Sequence, residues 1–257
     1  SIRNCVISGN FAGEGGGIVI FYGSHAKVYN CKLIGNTSGN WGGGIYIYRQ
    51  SSAEVQDCLF LGNAGSRGGG IAVSSESSLA MERCRLIGNT AIYGGGLRNA
   101  SNNGLLTVTD CEFIGNTASY GGGINCTGDS NNFSYFTNCK IQGNDGHYGG
   151  GIELDATFTT TPGHTIFSNC LVTDNTAIYY GGIENYQASA EYINCTIANN
   201  TATFMLGGIQ ITYNSKATIR NCIIARNVAP NYNDAVGTDV SYSCVADGVS
   251  GNGNINA

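Results

Sequence analysis

Charge is scarce in this chain, proline almost absent, and long apolar runs missing altogether. Of 257 residues, 11% are Asp, Glu, Lys or Arg, and the formal net charge is −5. A surface so sparsely and so negatively charged is ill-suited to phosphate backbones, so nucleic acid is not an expected partner. No apolar stretch approaches the roughly 18 residues of a membrane helix, so no transmembrane segment is expected. Two prolines stand against 40 glycines without a Gly-X-Y period, which excludes a collagen helix and suits a chain that turns often. Helical periodicity is absent throughout. No CxxC pair occurs and the three histidines are scattered, so zinc is not expected despite 11 cysteines.

What is present is one phrase, repeated. Cys111-Glu112-Phe113-Ile114-Gly115-Asn116, followed by Gly121-Gly122-Gly123-Ile124, has counterparts from end to end. Cys5, Cys31, Cys58, Cys84, Cys111, Cys139, Cys170, Cys195 and Cys222 head nine copies, spaced by 26, 27, 26, 27, 28, 31, 25 and 27 residues. An apolar residue follows each Cys by two, and an Asn by five, from Asn10 to Asn227. A fixed period of this size marks a solenoid in which each unit contacts its neighbours.

Within a copy we read three short strands: one ending near Met81, one holding Cys84 and Leu86 inward at period two, and one at Leu97 after the glycines. Glu82-Arg83 and Gly88-Asn89 are read as corners. The expected fold is all-β: a right-handed parallel β-helix of nine coils and a frayed tenth, rising about 4.8 Å per coil. It forms a single domain over 1–257, with regular coils to 229 and an irregular tail over 230–257. The apolar residues stack as a core, the Asn amides pair from coil to coil, and the glycines allow backbone conformations that a Cβ would hinder. Nine cysteines in one phase are expected to form a packed, mostly reduced ladder rather than a disulfide framework. Two excursions, Gly128–Asn132 and Ala156–His164, interrupt this regularity, and variable loops on a regular scaffold are where binding usually sits. Ser1-Ile2-Arg3-Asn4-Cys5 enters the ladder without a cap. Either flanking sequence is missing or the ends meet other molecules.

Phe113-Ile114-Gly115-Asn116 and Gly122-Gly123-Ile124 resemble the FxxN and GGxI repeats of polymorphic outer-membrane proteins, and more broadly the secreted bacterial right-handed parallel β-helix repeat proteins. The resemblance covers nearly the whole chain. It implies an extracellular or cell-surface setting, with adhesion, surface structure or polysaccharide contact as roles. The shared residues are all scaffold, so it says little of chemistry.

Chemistry is sought on the outward face of the third strand. One residue past the Ile phase come Val19, Tyr46, Ala72, Arg98, Asn125, Glu153, Glu184 and Gln210; two further on are Asp155 and Tyr186. Glu153 and Glu184 fall on adjacent coils and Asp155 is two residues from Glu153, so Glu153, Asp155, Glu184 and Arg98 are the catalytic candidates. Paired carboxylates at such spacings suit glycoside cleavage. Arg98 or Tyr148 beside a sugar carboxylate would suit a lyase, and the acids could hold Ca²⁺. The plainer reading is a solvated acidic patch. A second outward row, four residues before the Ile phase, carries Trp41, Tyr93, Tyr120, Tyr148 and Tyr179. With Tyr186 these are the candidate ligand-binding residues, their rings either stacking on sugars or covering the glycine corner. His147 lies beside Tyr148, while His25 and His164 carry no pattern. Thr37, Thr90, Thr117, Thr176 and Thr201 share a phase but are interrupted by Phe11, Ala64, Asp145 and Val228, which does not suit an ice-binding array.

The expected function is therefore a non-enzymatic extracellular or cell-surface scaffold, adhesive or structural, touching glycans or further copies of itself end to end. The alternative is a polysaccharide lyase or glycoside hydrolase acting on the outward face of the third strand. No cofactor is expected beyond the weak case for Ca²⁺.

Overall fold

Period-two alternation sets the strands. In Ser78–Glu82, Leu79 and Met81 are buried while Ser78, Ala80 and Glu82 face out, and the neighbouring Leu105–Thr109 repeats the pattern with Leu106 and Val108 inside. The computed structural model describes residues 1–127, 132–156, 163–212, 215–232, 235–236, 240–241, 243–245 and 255–256. Through them the chain winds as an all-β parallel solenoid. A first sheet of ten strands runs from Ile2–Arg3 to Val240–Ser241, a second of eleven from Val6–Ser8 to Ile255–Asn256, and a third of nine from Ile18–Ile20 to Ala235–Val236. Every pairing is parallel, and through the regular coils each joins residues one repeat apart, as in Phe113↔Ile141 and Ile124↔Ile152.

The structure adds an element to the three strands expected per coil. The stretch after each Asn, which the three-strand reading assigns to no strand, is itself a strand in mid-chain: Thr90–Tyr93, Thr117–Tyr120, Asp145–Tyr148, Thr176–Ala177 and Thr201–Ala202 form a five-stranded strip. This strip carries the tyrosines.

The corners fall where expected. The residue before each Cys is left-handed, as at Arg83 (φ 49°) and Asp110 (φ 53°). At the next corner Gly88 (φ 60°) meets open space where a Cβ would stand, and Asp174, Asn199 and Arg226 take the same left-handed position in later coils. The glycine triplet has two separate causes. Gly94 is left-handed (φ 65°), but at Gly96 an added Cβ would stand 2.7 Å from the carbonyl oxygen of Gly123 and 2.9 Å from the Phe113 ring. Close approach of successive coils, not dihedral freedom, dictates that last glycine.

Inside, the apolar rows form one continuous core, with Phe136, Phe167 and Tyr192 stacked at centroid distances of 4.7 and 5.4 Å. Cys31 to Cys222 form the buried cysteine ladder, with Cys5 exposed, and all eleven thiols are free. The Cys111 thiol donates to the Thr109 carbonyl (3.1 Å) and its sulfur accepts from the Cys84 amide (3.3 Å). A neighbouring thiol's hydrogen bond and burial push Cys84 and Cys195 up to about 12, which suits inert packing groups. In the tail the ladder continues with a different residue. Cys244 pairs with Ile223, one place past the cysteine phase, and Ser243 fills that phase, its hydroxyl oxygen accepting from the Cys222 amide at 3.1 Å.

Candidate functional site

The third sheet brings Arg98, Asn125, Glu153 and Glu184 into one register row, each pairing with the next. Ala72 precedes the row and Gln210 follows it. The row faces away from the core, as expected, yet it is not a solvated acidic patch. Glu153 is only 5% exposed and Glu184 6%. The tyrosine strip folds across this face and roofs it: the Arg98 guanidinium lies 5.1 Å from the Tyr93 ring centroid, and two coils earlier Trp41 stacks on the sheet residue Tyr46 at 5.5 Å. An outward-pointing side chain is thus buried by a layer that the three-strand reading lacked.

Burial sets the electrostatics. Glu153 is raised well above the usual carboxylate range by loss of solvent, then by Glu184 and Asp155, against the opposing pull of Arg98 and a hydrogen bond donated by the Asn125 amide. Glu184 is pushed up to about 8 by burial and then by Asp155, so it carries its proton at neutral pH. Burial draws the Arg98 guanidinium down while Glu153 pushes it back, and arginine's high intrinsic basicity leaves it charged. Several polar atoms of the row find no hydrogen-bond partner among the described residues: Arg98 Nε and Nη1, Asn125 Oδ1 and Glu184 Oε2. Buried groups left in this state cost free energy, and a ligand or water that meets them recovers it.

Beside the row opens a groove of ≈ 380 Å³, lined by Arg67, Tyr93, Arg98, Tyr120, Asn125, Thr127, Glu153 and Asp155. Three of the catalytic candidates therefore reach it, and Glu184 lies behind them. Tyr93, Tyr120, Tyr148 and Tyr179 stack face to face at 4.9, 5.3 and 4.6 Å. Their faces are spent on one another, so the ladder offers edges and hydroxyls. Burial raises the Tyr120 and Tyr148 phenols, which remain protonated donors. Tyr186 lies opposite Asp155 in register, and Trp41 sits outside the groove under Arg67. His147 is exposed on the strip. Of the two excursions, residues 128–131 and 157–162 lie outside the described residues.

Sequence reasoning passed over two arrangements. His25 and His164, which carry no sequence pattern, occupy equivalent places on the first sheet. Each ring sits between Ser and Glu of the next coil: Ser52 (2.7 Å) and Glu54 (3.3 Å) for His25, Ser189 (3.0 Å) and Glu191 (3.2 Å) for His164. The register arithmetic that located Glu153 and Glu184 would have found both. The second arrangement is the laying of arginines on aromatic rings, which depends on rotamers and leaves no spacing signal. Among the described residues no group of three or more His, Cys, Asp or Glu is disposed to hold a metal.

Residues 1–118 match the family model described as the right handed beta helix region. Neither the curated proteins nor the solved structures returned a match. That match covers less than half of the chain, and together with the parallel solenoid above it supports a right-handed β-helix repeat fold.

Proposed function

We propose that this chain is an extracellular or cell-surface β-helix scaffold that binds a saccharide chain in the groove between the third sheet and the tyrosine strip, and does not cleave it. The observation that carries this reading is the set of unpartnered polar atoms of the Arg98–Glu184 row. They lie beside a groove lined by a guanidinium, an amide, carboxyl groups and phenols. Such convergent donors and acceptors match sugar hydroxyls, and pockets of a few hundred Å³ suit small ligands or short stretches of a chain. The stacked tyrosines support edge-on hydrogen bonding over face stacking. A row held rigid by coil-to-coil pairing suits binding without closure.

Cleavage is the second reading, favoured by Glu153 and Asp155. They sit two residues apart on one face, roughly 6.5–7 Å by strand rise, with Glu153 held as an acid. Two carboxyls carried at that backbone spacing suit the acid and base of an inverting glycosidase.

A panel of acidic and neutral polysaccharides, assayed for binding by calorimetry and for turnover by reducing-end or unsaturated-product release, separates the readings. We expect binding that weakens in Tyr120→Ala, without product. Product that disappears in Glu153→Gln would replace the scaffold reading with the enzymatic one, and no binding by any member would sink both.

A further inference from the structure

Arginines on this molecule fall into two kinds. Arg83 pairs with Asp57 at 2.8 Å, Arg85 with Glu112 at 2.8 Å and Arg220 with Glu191 at 3.4 Å. Arg49, Arg67 and Arg98 have no carboxylate in ion-pair contact among the described residues, and each lies instead on an aromatic ring. Arg49 is 4.6 Å from the Tyr22 centroid and 5.4 Å from that of Tyr48, Arg67 5.0 Å from Trp41, and Arg98 5.1 Å from Tyr93. Arg3 makes a similar stack on Tyr29, but alone on the first sheet.

The three fall on successive coils along one side of the solenoid. Trp41, Arg67 and Tyr93 are bridged in register, and Arg67 and Arg98 both line the ≈ 380 Å³ groove. Arg49 borders a second concavity of ≈ 530 Å³ with Tyr22, Gly23, Gln50, Ser75 and Glu76. Most left-handed corners of this chain use Gly, Asn or Asp, but here Tyr22, Arg49 and Gln50 all stand at φ between 56° and 59°. L-residues with a Cβ rarely adopt this conformation, and local strain of this kind gathers where side chains are needed for more than folding.

A guanidinium held on a ring keeps its charge and its in-plane N–H donors directed outward, ready for a planar or tetrahedral oxyanion. Two of the Arg98 donors are buried and unpartnered. Resting on the saccharide reading above, we infer that this face takes an anionic polysaccharide, its carboxylate or sulfate groups contacted by Arg49, Arg67 and Arg98. One cation per coil, interspersed with Glu76 and Asp155 in a chain of net charge −5, matches a ligand with a charge on every sugar or two. It does not match the denser charge of a nucleic acid.

The test is anisotropy binding of fluorescent polygalacturonate, chondroitin sulfate, dextran and a single-stranded oligothymidine, each at low and high salt. We expect the first two to bind and to weaken with salt. Arg67→Gln and Arg98→Gln should each weaken binding about tenfold, Arg49→Gln by less, and Arg83→Gln not at all. Polygalacturonate and chondroitin sulfate separate carboxylate from sulfate as the preferred anion. Circular dichroism of each variant checks folding, and Arg67, held by one hydrogen bond to Asn40, is the substitution least coupled to the core. Salt-independent binding of dextran equal to that of the acidic chains overturns the inference and leaves the groove reading standing. Oligothymidine binding as tight as polygalacturonate also overturns it, and no polysaccharide binding overturns both.

Discussion

Two columns of buried polar side chains run along this solenoid, and they end in opposite states. In the corner column each Asn closes its account with its neighbours. Asn116 Nδ2 donates to Asn144 Oδ1 (3.0 Å) and to the Leu86 carbonyl (2.9 Å), while its Oδ1 accepts from the amide and Nδ2 of Asn89 at 2.9 Å each. The third-sheet column has the same stacking, but mixes residue types along its length and leaves donors and acceptors unmet. A uniform column can satisfy itself because an amide is both donor and acceptor. A column of Arg, Asn, Glu and Glu cannot. The first is scaffold; the second is built to meet something else.

This contrast can be broken from either side. The largest effect is expected at the corner: Asn116→Ala strands partners in both adjacent coils and should lower unfolding free energy by about 4 kcal/mol in denaturant titration. A loss below about 1 kcal/mol would mean that the ladder is ornamental. Gly96→Ala, driven into the Gly123 carbonyl and the Phe113 ring, should cost about 3 kcal/mol by the same assay.

On the other column the sign reverses. The folded protein raises Glu184 from 4.5 to about 8, so its contribution is fully present below pH 4.5 and is lost as pH rises towards 8. Glu184→Gln removes that loss. Melting curves should show the variant increasingly more stable than the parent as pH rises from 4.5 to above 8, with the gain gone near pH 4.5. A variant less stable at every pH would mean that the carboxyl belongs to the scaffold. Smallest of all, Gly115→Asn should shift stability by under ~0.5 kcal/mol, because its corner is open and Asn199 already occupies the equivalent place.

The fold was legible because each coil restates it: Cys84, Leu86 and Asn89 recur in phase, and stacking turns phase into contact. Register also brought Glu153 and Glu184 together correctly. What escaped was anything decided across the coil rather than along it. The burial of Glu153 depends on the strip at Asp145–Tyr148 folding over it, and Thr117 and its equivalents were assigned to no strand because their strands are too short to show alternation. The tail shows the limit of residue type as a guide. Cys244 stands one place past the ladder phase, and the hydroxyl of Ser243 makes the ladder's bonds there.

The most direct test of the claim that one column is scaffold and the other site is a paired measurement of stability and saccharide affinity on Asn116→Ala and Glu153→Gln, using the polysaccharide that binds most tightly in the panel. The account predicts that Asn116→Ala loses stability while its folded fraction binds as the parent does. Glu153→Gln should keep or gain stability and lose affinity. Both variants losing stability with affinity unchanged would contradict it, and the third-sheet row would then be one more part of the frame.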